Sequence, residues 1–92
     1  MRNPDPTLRH LATLCRHKAT LRASNGKSEP LTRAFYNNAL FECATKGYAA
    51  IVYDMVLPEV DEEIRLVIWR NGHIDSGSAG NIEAVLKARG SV

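Results

Sequence analysis

The dipeptide Asn71-Gly72 narrows the folds open to this chain more than any other feature. Both central residues of a type I′ hairpin turn need positive φ, and Asn-Gly meets that need at little steric cost. Before it, Ile64 to Arg70 alternates, with Ile64, Leu66 and Ile68 on one face and Arg65, Val67 and Trp69 on the other. After it, His73-Ile74 begins a return strand. A two-residue hairpin turn at Asn71 and Gly72 is therefore expected. Upstream, Tyr48 to Leu57 is rich in β-branched and aromatic residues, puts Ala49, Ile51, Tyr53, Met55 and Leu57 on one face, and stops at Pro58. That is one more strand, joined to the next through the acidic segment Glu59 to Glu63.

Helical spacing surrounds these strands. Asp5-Pro6 offers an N-cap followed by proline at the first helical position, and Asn25-Gly26 offers a stop, which predicts a first helix over about residues 6–24. Inside it, Arg9-His10-Leu11-Ala12-Thr13-Leu14 recurs seven residues later as Arg16-His17-Lys18-Ala19-Thr20-Leu21. On a helix this repeat puts Leu8, Leu11, Ala12, Cys15 and Ala19 on one stripe and Arg9, Thr13, Arg16 and Thr20 on the other side. Ser28 offers a cap for a second helix, with Pro30 in its first turn and Gly47 closing it; Phe35, Tyr36, Ala39, Leu40, Cys43 and Ala44 form its apolar half. A Ser/Gly loop, Ser76 to Gly80, leads into a last helix carrying Ile82, Val85 and Leu86 and ending near Gly90. The expected architecture is one α+β domain over residues 1–92 with the order ααβββα. It comprises an N-terminal helix at about 6–24 and an αβββα unit at about 28–90. Its sheet is a three-stranded antiparallel meander with helices packed on one face. The second face, with Tyr48, Val52, Val56, Val67 and Trp69, is more apolar than a solvated face usually is. A partner, self-association as a homodimer, or the first helix folding across the back would each account for it.

The αβββα order of residues 28–92 loosely resembles the double-stranded RNA-binding domain. The resemblance implies phosphate contacts from a lysine-rich start to the last helix and minor-groove entry by a histidine-bearing loop between the first two strands. At those places this sequence has Gly80-Asn81-Ile82-Glu83 and Pro58-Glu59-Val60-Asp61-Glu62, so the positive charge that binding needs is missing.

Charge is uneven. Residues 1–34 carry seven Lys/Arg against Asp5 and Glu29, and residues 35–92 carry five against eight acids, so a net +2 separates into about +5 and −3. Apolar runs are too short to span a bilayer, and Met1 to Thr7 lacks the apolar stretch of a secretory signal, from which a cytoplasmic protein without membrane contact is expected. Cys15 and Cys43 fall inside apolar helical patterns and read as reduced core thiols. His10 and His17, two turns apart, are too distant to share one ion, and no CxxC is present, so no metal site is expected. Nothing ties Cys15, Cys43 or Ser78 to a particular base, so no catalytic residue is assigned and no cofactor is expected. The loop before the last helix could hold a phosphate at the helix N-terminus, but Ser78 as an ordinary N-cap explains the same residues.

What remains is binding. The expectation is a small non-enzymatic protein that regulates or inhibits a larger protein or nucleoprotein complex by covering its surface, with Arg9, Arg16, Arg22, Tyr48 and Trp69 as partner-binding candidates. Its size and composition are similar to those of phage-encoded inhibitors of bacterial defence such as anti-CRISPR proteins. The alternative is a nucleic-acid-binding regulator that uses the basic residues within 2–33.

Overall fold

The computed structural model describes residues 6–16, 19–22, 28–58 and 62–89. Along the chain run α1 (Pro6–Arg16), β1 (Thr20–Arg22), β2 (Ser28–Pro30), α2 (Arg33–Lys46), β3 (Ala50–Leu57), β4 (Glu62–Trp69), β5 (Ile74–Gly77) and α3 (Ala79–Ala88). The class is α+β. The sheet has five antiparallel strands in the order β2-β1-β3-β4-β5, so the expected three-stranded meander is its β3-β4-β5 part.

The extra strands come from segments read as helix. α1 ends at Arg16, eight residues short of the expected limit, and Thr20–Arg22 pairs with Ser28–Pro30 on one side and Asp54–Val56 on the other. The free edge of β3 offers that ladder, and Leu21 on it becomes 2 % exposed, against Met55 in register. Ser28 does not cap α2. Thr32 does: its hydroxyl accepts the Phe35 N–H at 3.1 Å, and Leu31 just before it is buried. Gly47 closes α2 as expected, with φ +74° and its N–H on the Cys43 carbonyl. The Asn25-Gly26 stop lies outside the described residues.

The hairpin between β4 and β5 forms where expected, with a different loop. Gly72 N–H donates to Trp69 O and Trp69 N–H to His73 O, both at 2.9 Å, while Ile68 faces Ile74 in the ladder. Three residues, Arg70 to Gly72, therefore lie between the last paired positions, with Gly72 at φ +96°. This is the pattern of a β-turn followed by a G1 bulge rather than a two-residue type I′ turn. Asn71 contributes through its side chain, whose Oδ1 accepts the His73 N–H at 3.0 Å.

The sheet is covered on both faces, not one. α1 and α2 pack on the face of Leu21, Met55, Leu66, Ile68 and Ile74, closing the main core with Leu11, Leu14, Tyr36 and Ala39. α3 packs on the opposite face, where Ile82 meets Val67 and Trp69, flanked by Ala50, Val85 and Leu86. Leu66 to Trp69 are consequently four buried residues in succession on a strand whose sequence alternates. The helix that covers the back is thus the last one, not the first. It reaches only part of that face, since Val52 stays 42 % exposed and Asp54 is exposed beside it.

Candidate functional site

The candidate binding residues scatter. Arg9 and Arg16 are exposed on α1. Arg22 belongs to β1, in register with Asp54. Tyr48, 46 % exposed, lies between α2 and β3, its N–H closing the end of α2 on the Cys43 carbonyl. Trp69 is only 9 % exposed and belongs to the core beneath α3. Its indole N–H donates to Asp75 Oδ2 at 2.8 Å, and the Arg89 guanidinium lies 5.6 Å from its ring centroid. Trp69 is therefore a packing residue whose polar edge is satisfied internally.

Asp75 is the centre of that small network. Besides Trp69, its carboxylate meets Arg89 Nε at 3.5 Å and His73 Nε2 at 3.3 Å. The same His73 nitrogen is 3.2 Å from Arg89 Nη2. One nitrogen cannot donate to Asp75 and accept from Arg89 together, so the ring's proton decides which neighbour it serves. The network ties the end of α3 to β5.

On the other face of β5, His10 Nε2 lies 2.9 Å from Ser76 Oγ. A serine touching an imidazole is the first contact of a nucleophile and its base, but the third member is elsewhere. Asp75, adjacent to Ser76 on a strand, points to the opposite face and is engaged by Trp69 and Arg89. Burial holds the His10 pKa below its usual value, opposed by the field of Asp75 and reinforced by that of His73. A neutral ring at the α1–β5 contact suits a structural hydrogen bond that docks the helix. Burial raises both thiols, Cys15 and Cys43, so each is protonated at neutral pH. Tyr53, edge-on to Phe35 at 5.0 Å, is pushed up to about 12 by burial. Among the described residues, no three His, Cys, Asp or Glu side chains converge as a metal site would need. Ser78 caps α3, its hydroxyl accepting the Asn81 N–H at 3.2 Å.

The feature best shaped to receive something is a groove of about 380 Å³ between the first turn of α1, the first half of α2 and the β4–β5 turn. Tyr36 is its floor, buried, with the phenol O–H donated to the Gly72 carbonyl. Leu8, 36 % exposed, and Leu40, half-buried, add apolar walls; Arg33, Asn37, Asn71 and His73 add polar ones. The Arg33 guanidinium lies 5.8 Å from the Tyr36 ring centroid. Among the described residues no carboxylate pairs with it, and none lines the groove. Part of this was legible: Arg33, Asn37 and Leu40, at i, i+4 and i+7, form one row on a helix. That α1 and the hairpin flank the row is a tertiary fact. A second hollow, of about 220 Å³, lies on the open sheet face among Asp54, Glu63 and Arg65, where Arg65 Nε is 3.7 Å from Asp54 Oδ1.

No helix of the described residues is long and apolar enough to cross a membrane. Comparison of the chain with protein-family models, with curated proteins and with solved structures finds no match.

Proposed function

We propose that this chain is a small non-enzymatic interaction protein, one that regulates or inhibits a larger protein or nucleoprotein by occupying its surface. The groove between α1, α2 and the β4–β5 turn carries the reading. It lies within the size range of ligand pockets, it offers an apolar floor with a few convergent polar groups, and it displays a guanidinium without a counter-ion among the described residues. The apolar side chains Phe41, 68 % exposed, and Tyr48 add contact area away from the groove. An inhibitor of a host defence complex is a finer version of the same reading, supported by size and composition alone.

The alternative is a nucleic-acid-binding regulator, and one observation favours it: Arg9 and Arg16 are both exposed on α1. The two readings separate when a tagged chain is used to capture its partner from the native host, with and without nuclease. A protein retained at stoichiometric amount after nuclease supports the proposal. Loss of all captured material, together with steeply salt-dependent binding to bare duplex or single strands, overturns it in favour of the alternative.

A further inference from the structure

The groove has a charge and a shape that select among protein partners, and this step rests on the interaction reading above. Its apolar part is formed by Leu8, Leu40 and the Tyr36 ring, and among the described residues its charged part is Arg33. Two contacts pre-position these groups. The phenol of Tyr36 is anchored to the Gly72 carbonyl, so the ring cannot swing out, and Arg33 stacks beside that ring. A guanidinium held this way loses little freedom when it engages a carboxylate, and it presents a planar fork suited to two parallel hydrogen bonds. Around it the exposed amides of Asn37 and Asn71 offer further hydrogen-bonding groups.

We infer that this groove receives an acidic, extended segment of a partner protein, with one apolar side chain seated on Leu8, Tyr36 and Leu40 and a flanking carboxylate paired with Arg33. Charge complementarity selects the acid, since among the described residues no carboxylate lines the groove, and the floor selects the apolar anchor. A phosphate backbone would need a row of cations, and among the described residues Arg33 is the one Lys or Arg that lines the groove.

The probe is a short fluorescein-labelled peptide of Glu and Asp around a central Leu-Phe pair, titrated with the full chain and read by anisotropy. Two further probes are the same peptide with Ser in place of Leu-Phe and a duplex DNA. The Leu-Phe peptide should bind, and both other probes should bind at least about tenfold more weakly. Arg33→Glu should weaken the Leu-Phe peptide about tenfold or more, and Leu8→Ser several-fold. Arg9→Glu and Arg16→Glu, outside the groove, should change it less than about twofold. All four sites are exposed, and equal urea midpoints would show that the fold is intact.

Equal binding of the Ser peptide, equal loss in Arg9→Glu, or no binding at all would overturn the assignment of the groove. The interaction reading is tested separately: if the Arg33→Glu chain still captures the same nuclease-resistant partner, the groove assignment falls and the function stands.

Discussion

Two copies of nearly one hexapeptide end in different backbone structures in this protein. Arg9 to Leu14 is helical, whereas in its repeat Thr20 and Leu21 are in a strand. In the first copy Ala12 and Thr13 face solvent, Leu14 is buried, and the Thr13 hydroxyl donates to the Arg9 carbonyl one turn back at 3.0 Å. In the second, Ala19 is buried and its carbonyl accepts the Leu31 N–H at 2.9 Å, while Thr20 lies between Val56 and Pro30 in the ladder. The leucine keeps its role, since Leu14 and Leu21 both enter the main core. Local propensity separates helix from strand by tenths of a kcal/mol per residue for such side chains, which a neighbouring strand edge easily outweighs. The repeat is therefore a lesson in how weakly a short sequence commits its backbone.

The largest expected effect tests whether the strand copy is fully integrated. Leu21→Ala should cost about 3 kcal/mol of unfolding free energy in urea titration, and Leu14→Ala somewhat less, because Leu21 is packed between the sheet and its helices. A Leu21→Ala cost under about 1 kcal/mol would mean that β1 is peripheral and the contrast between copies has little energetic weight.

Next comes a site where local sequence does decide the backbone. Gly72→Val should cost about 2 kcal/mol, since its φ of +96° penalises a β-branched residue and a Cβ there would lie 3.2 Å from the Tyr36 hydroxyl. Because Tyr36 floors the groove, the same substitution should also weaken the acidic Leu-Phe peptide. A stable, peptide-binding Gly72→Val chain would show that the turn is less constrained than its geometry indicates.

A smaller effect sharpens the comparison by its sign. Thr13→Ala should be neutral or stabilise by a few tenths of a kcal/mol, because alanine is the better helix former and the hydroxyl bond it removes is an exposed one. Thr20→Ala should destabilise by about 0.5 kcal/mol, because threonine suits a half-buried strand position. Equal signs in matched urea titrations would contradict the helix-versus-strand assignment of the two copies.

The smallest effect concerns the histidine of the helical copy. The folded-state pKa of His10 is lowered by burial, so the folded chain resists protonation more than the unfolded one. Its contribution is intact above the unfolded value near 6.5, declines as pH falls through and below that value, and levels off once the folded-state pKa is passed. His10→Gln should flatten this part of the stability profile, read from urea midpoints between neutral and mildly acidic pH. An unchanged profile would assign the dependence to other groups.

Much of the fold was legible in the residues. Strand alternation, the chain reversal at Asn71-Gly72, the Gly47 stop and the apolar half of α2 are properties of neighbouring residues, governed by φ/ψ sterics and by periods of two and 3.6. What tertiary structure decided is whatever depended on distant neighbours. Thr20 to Arg22 became a strand because β3 had an unpaired edge beside it, and Ser28 to Pro30 because β1 then offered the next edge; a three-residue strand has no stability without one. Trp69 became core because α3 crosses the face that sequence alternation left open, and Arg33 became part of a groove because α1 and the β4–β5 turn flank its helix. Backbone conformation can be read where its cost is local; burial and site assembly cannot, because both depend on which surfaces meet.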